Sequence, residues 1–128
     1  MTQVVLDASA ILAFMRAEPG GNSVATQVIA GASAGTVNLA EVATKLIDGG
    51  DDPAAVWLDL LSYFPSPEPF TADQAQIASN LIRKTRSLGL SLGDRACLAL
   101  AISLGRPAWT ADRSWKKLSP GIPIHVIR

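Results

Sequence analysis

Apolar residues fall in short continuous runs and at helical spacing along this chain, and the two patterns alternate. Val4, Val5 and Leu6 form a run that ends at Asp7, the pattern of a buried parallel strand. Residues 8–16 and 21–31 then read as helices. Asn38 opens the next, with Leu39, Val42, Ala43 and Leu46 at helical spacing and Gly49-Gly50 as its stop. Pro53 stands in the first turn of a helix running to about Tyr63. Thr71 with Gln74 makes a capping-box signature for a helix carrying Ala78, Leu81, Ile82 and Thr85 on one face. Ser91 starts another, in which Ala96 to Ile102 has no polar side chain except the Cys97 thiol. A helix apolar all round is central and buried. Gly105 stops it; Pro107 to Trp109 reads as a strand, Asp112 to Leu118 as a short helix, and Ile122 to Ile127 as a last strand. The alternation predicts an α/β fold, a small parallel-stranded sheet flanked by helices.

At 128 residues and 48% hydrophobic, the chain has material for one globular domain spanning residues 1–128. The proline-rich FPSPEPF, residues 64 to 70, reads as an ordered surface connection rather than a linker. Asp7, Arg16 and Glu18 interrupt the N-terminal apolar run, which argues against a signal peptide or a membrane span. A single cysteine, Cys97, excludes an internal disulfide and suits a reducing compartment, so cytoplasm is the expected location.

The zero net charge conceals an asymmetry. Residues 1–82 hold nine acids and two bases, whereas residues 83–128 hold nine bases and two acids, Asp94 and Asp112. Arg83, Lys84 and Arg86 form one basic cluster, and Arg113, Lys116 and Lys117 another. They read either as ordinary solvated surface or as a face for a polyanion such as RNA.

Four carboxylates stand where a strand ends or a helix begins. Asp7 and Asp112 follow strands, Asp94 starts the buried helix, and Glu41 lies in the first turn of its own. In an open parallel sheet, ligands sit beyond the carboxyl ends of the strands. Each acid also has a structural reading. Asp7 and Asp112 have the place of N-caps, while Asn38 with Glu41 and Ser91 with Asp94 have capping-box spacing. If the four converge, their repulsion demands cations, and oxygen-only ligands select hard ions such as Mg²⁺ or Mn²⁺. Competing chemistry lacks its residues: His125 is the only histidine, no Ser–His–Asp set is visible, and zinc ligands are missing.

LDASAILA, NLAEV, LSLGDRACLALA and TADRSW, in that order, resemble the PIN domain, and more narrowly VapC-type toxins. The resemblance covers almost the whole chain. It implies a Mg²⁺- or Mn²⁺-dependent ribonuclease with acidic ligands at Asp7, Glu41, Asp94 and Asp112, supported by the hydroxyls of Ser9 and Thr110. It also implies a homodimer inhibited by a VapB-type antitoxin. For that partner the sequence offers Ile11, Leu12, Phe14, Trp57, Leu58 and Leu61 as apolar anchors. There are two departures. AGASAGTVN before Glu41 is poor in β-branched residues, which weakens the short strand often found there. No further acid follows Asp112, where some relatives carry one near a second metal position. The alternative from another class is a catalytically inactive PIN-like binding or regulatory domain. A receiver-like or dehalogenase-like phosphotransfer pocket fits less well, because no second Asp stands two residues after Asp7.

Overall fold

Three parallel strands build the sheet in the order β1 (Val5–Leu6), β2 (Ala108–Thr110), β3 (Ile124–Val126) in a computed structural model that describes residues 3–128. Val5 stands opposite Ala108, and Ala108 opposite Ile124. Successive side chains of a strand point to opposite faces, and the first strand uses both. Val4 and Leu6 enter a core with Ile11, Leu39, Val42 and Leu60, whereas Val5 enters another with Leu98, Leu100, Ala108 and Trp115. The sheet is therefore covered on both sides, as a parallel sheet requires.

The first core is roofed by α1 (Ala8–Met15), α2 (Gly21–Ile29), α3 (Thr36–Asp48) and α4 (Pro53–Tyr63). α5 (Ala72–Asn80), α6 (Ile82–Thr85) and α7 (Leu92–Leu104) follow, with a 3-10 turn at Arg86–Leu88 and another at Arg113–Lys117. None of these helices is long and apolar enough to cross a membrane. Four sequence expectations need correction. α3 begins three residues early with Gly35 as its N-cap, so Asn38 does not open it but is buried one turn inside. The helix expected from Thr71 through Thr85 breaks at Leu81, where the Thr85 hydroxyl donates back to the Leu81 carbonyl, 2.9 Å. Such back-bonding bends helices. β2 sits one residue later than expected, which brings Thr110 onto the sheet. Ile11 and Leu12 are core residues, 0% and 4% exposed, and cannot anchor a partner.

The weakened strand before Glu41 survives as two isolated parallel bridges, Val5 with Ser33 and Gly35 with Glu68. Glu68 belongs to the FPSPEPF connection, whose backbone donates to Ala34 and accepts from Thr36, both at 2.9 Å. That segment is ordered because it extends this edge.

Candidate functional site

Asp7 leaves β1 at its carboxyl end and caps α1, its Oδ1 accepting from the Ala10 amide at 2.8 Å. The side chain is 3% exposed. Ser9 Oγ donates to the same oxygen at 2.7 Å, and Thr110 Oγ1 donates to Oδ2 at 2.5 Å. Each hydroxyl has one proton, and both protons are committed to Asp7. The same hydroxyls accept from the chain beyond β2: Ala111 N to Ser9 Oγ at 2.9 Å, Asp112 N to Thr110 Oγ1 at 3.0 Å. Ser9 and Thr110 thus tie the end of β1 to the end of β2. An ionised carboxylate has about four acceptor sites, so one on Oδ2 stays open. Burial pushes the Asp7 carboxyl up to about 6, Asp94 adds to the rise, and the three hydrogen bonds oppose it.

Glu41 reaches the same region from α3. Asn38 Nδ2 donates to Glu41 Oε1 at 3.0 Å and to the Gly93 carbonyl at 3.1 Å, fastening α3 to the start of α7. A Cβ on Gly93 would stand 2.3 Å from Glu41 Oε2, so the carboxylate lies flat on the glycine. Sequence reading missed both residues: it treated Asn38 as a cap and passed over the glycine of LSLGDR. Asp94 follows directly and closes a capping box, its Oδ2 accepting from Ser91 N at 2.9 Å. Burial raises the Glu41 carboxyl above the usual carboxylate range, and Asp94 reinforces the shift against Asn38 and Lys45.

Buried Cys97 locates the cluster. Its thiol is pushed up first by burial and then by Asp7, Asp94 and Glu41 together. Those three acids are thus near enough for their charges to act on the thiol, while the Asp112 backbone N–H donates to Thr110 Oγ1 and its carboxylate caps the 3-10 turn by accepting from Ser114 N, 2.9 Å. Among the described residues the one salt bridge is Arg128–Glu18, so no base forms an ion pair with any of the four, and Lys45 acts on Glu41 only from farther off. Nor, among those residues, do three such groups stand close enough to enclose one ion.

The PIN domain family model matches residues 4–119. The chain belongs to the PIN-domain family. DNA-bound VapBC from Salmonella typhimurium shares this PIN fold with a TM-score of 0.74 at 15% identity, covering 100% of both chains. VapBC2 from Rickettsia felis, bound to a DNA fragment from their promoter, gives 0.74 at 14% identity over 98% of each chain. VapBC-5 from Mycobacterium tuberculosis, a member of the VapBC family of toxin-antitoxin systems, gives 0.61 at 20% over 98% of each. No curated protein matches the chain in sequence.

Elsewhere on this PIN domain, the two basic clusters approach each other. Lys84 of α6 and Lys117 of the 3-10 turn line one cavity. Lys116 lines the neighbouring groove, while Arg113 is drawn to the C-terminus by its bond to the Arg128 carbonyl, 3.2 Å. Arg83 and Arg86 are exposed and line neither. His125 is exposed on β3 and packs on Trp109, ring centroids 4.2 Å apart, which is a structural role. On α4 the PIN domain exposes Trp57, Leu58 and Leu61, with Leu58 74% exposed. Half-buried Phe14 joins that surface through an edge-to-face contact with Tyr63 at 4.9 Å.

Proposed function

We propose that this PIN domain is a Mg²⁺- or Mn²⁺-dependent endoribonuclease, the toxin of a type II toxin–antitoxin pair, and that it hydrolyses RNA phosphodiesters at Asp7, Glu41, Asp94 and Asp112. The observation that carries this reading is Asp7: buried at the carboxyl end of β1, held by Ser9, Thr110 and the Ala10 amide, paired with no base, and close enough to Asp94 to be acted on by its charge. An all-carboxylate donor set fits a hard cation. Mg²⁺ is commonly held by one or two carboxylates together with waters and substrate phosphates, so it does not require three of these acids around one point. A bound ion of this kind activates water and offsets charge on the leaving oxygen.

The protein's own contribution is positioning. Ser9, Thr110 and the Ala10 amide fix Asp7 in one orientation, and Asn38 does the same for Glu41. Such supporting bonds set how a ligand is presented. Arg83, Lys84, Arg86, Arg113, Lys116 and Lys117 then serve RNA phosphates, from residues 83–128, whose only acids are two of the site's own. Trp57, Leu58 and Leu61 receive an apolar face of the VapB-type antitoxin. A second copy of the chain completes a homodimer, as the family implies.

The test is RNA cleavage in Mg²⁺, Mn²⁺ and EDTA, with calorimetric titration of Mn²⁺ into the wild type and Asp94→Asn. Cleavage that EDTA and the substitution both abolish, with Mn²⁺ affinity falling at least about tenfold, supports the reading. Cleavage insensitive to EDTA overturns it. A non-catalytic binding domain is the second reading, favoured by one observation: Asp7, Asp94 and Asp112 all serve as helix caps as well. RNA bound without cleavage in Mn²⁺ selects it.

A further inference from the structure

The cavity shared by Lys84 and Lys117 has a volume of about 370 Å³. Leu118 and Pro120 supply apolar walls over the buried Leu98, and Ser119 lines it too; no carboxylate does. We propose that this cavity holds one nucleotide of the single-stranded RNA, beside the one being cut, an inference that rests on the nuclease reading above. The base lies against Leu118 and Pro120, and its phosphates meet Lys84 and Lys117.

Three observations carry the assignment. The volume falls in the lower part of the range for small-ligand pockets, which suits a base with its sugar. The chemistry is divided as a nucleotide's is: an apolar slot for a planar ring, two ammonium groups for phosphate, and the Ser119 hydroxyl for a base edge. The location connects with the acids. Leu98 stands one helical turn, about 6 Å, beyond Asp94 on the same face of α7. Lys117 closes the 3-10 turn that Asp112 caps. A strand with a phosphodiester at the acids therefore has its neighbouring nucleotide within reach of the cavity. No acid in residues 83–128 other than Asp94 and Asp112 stands in its way.

The test has two arms. In the first, uridine 5′-monophosphate, uridine and inorganic phosphate are titrated into the full chain and followed by NMR. The nucleotide is expected to shift the amides of Thr85, Leu118 and Ser119 at lower concentration than either fragment, and Ser119→Trp, which fills the slot, is expected to remove the shifts. Phosphate acting as well as the nucleotide, or shifts unchanged in Ser119→Trp, overturns the proposal. In the second arm, Ser119→Trp raises KM for RNA about tenfold with kcat within about twofold, since one base contact is lost. Lys84→Ala with Lys117→Ala lowers the salt dependence of RNA binding by roughly 0.7 per lysine and needs no large side chain to be accommodated. Unchanged KM and salt slope in both variants, beside a wild type that cleaves RNA, overturn the cavity and leave the nuclease reading standing. A wild type that cleaves no RNA yet gives the nucleotide shifts removes the nuclease reading and leaves the cavity.

Discussion

Burial raises the Asp7 carboxyl to about 6 from an ordinary 3.8, with Asp94 adding to the rise and Thr110, Ala10 and Ser9 opposing it. Between those two values the folded chain holds a proton that the unfolded chain has released, so rising pH removes stability there. Below 3.8 that loss is absent, and above about 6 it is complete, at most roughly 3 kcal/mol. Asp7→Asn is therefore expected to match the wild type near pH 4 and exceed it by about 1–3 kcal/mol at pH 7 in EDTA, while losing cleavage. Urea unfolding of both proteins across that range checks this; a difference that does not grow with pH would refute it. Gly93→Ala makes the complementary case. Its new Cβ lands on the Glu41 carboxyl, the movable end of a side chain, so Glu41 gives way. Stability should change by less than about 1 kcal/mol, because alanine's helix preference offsets the crowding, while activity falls to that of Glu41→Gln. Wild-type activity in Gly93→Ala would show that the placement of Glu41 does not matter. The placing of Asp7, Asp94 and Asp112 at a strand end or helix start was legible in the sequence. Asn38 and Gly93 were not, since their roles arise only where α3 packs on α7, 55 residues apart.

At the scale of elements, α7 carries two demands on adjacent groups. Its N-terminus needs its first amides satisfied, which Ser91 and Asp94 do reciprocally. The Asp94 charge also raises the carboxyls of Asp7 and Glu41. Two substitutions separate the demands. Ser91→Ala removes a cap and leaves the charge, so thermal unfolding should show a loss of about 1 kcal/mol with specific activity intact. Asp94→Asn keeps an oxygen for the Ser91 amide and loses the charge, so stability should hold while cleavage disappears. The reverse pattern would make Asp94 a cap alone. Elements with strong local punctuation were read well: Pro53 at the start of α4, the Thr71 cap of α5 and Gly105 after α7 all lie where the chain turns. The misreadings fell where a tertiary contact overrides a local signal. Gly35 rather than Asn38 caps α3 because Asn38 is drawn inward to Gly93. α5 and α6 separate at Leu81 where the Thr85 hydroxyl competes for a helical carbonyl.

Over the whole molecule, the apolar surface divides into parts the fold uses and parts it leaves. α1 and α4 looked alike in sequence as donors of apolar anchors, yet Ile11 and Leu12 are needed under the sheet and Val56 and Leu60 in the core beside them. Of these two helices, what remains outside is one face of α4, with Leu58 at 74%, Leu61 at 46% and Trp57 at 37% exposure, bordered by Tyr63 and Phe14. Only three-dimensional packing could make that division, because helical spacing marks a face without saying which other element covers it. An amphipathic helix laid into such a surface places apolar anchors at helical spacing, and truncating a central anchor commonly costs 2 kcal/mol or more of binding. Leu58→Asp sets a charge in the middle of the patch and touches none of the four acids. Its own stability should stay within about 0.5 kcal/mol, as for most surface substitutions. On the proposed toxin reading, Leu58→Asp co-expressed with a cognate VapB-type antitoxin is expected to lose co-purification and to remain an active, growth-inhibiting nuclease, whereas the wild type is bound and silenced. Retention of the partner by Leu58→Asp and Trp57→Ala alike would move the antitoxin to another face. A wild type that neither retains the partner nor loses activity on mixing would remove the toxin–antitoxin assignment while leaving the acid site and its chemistry in place.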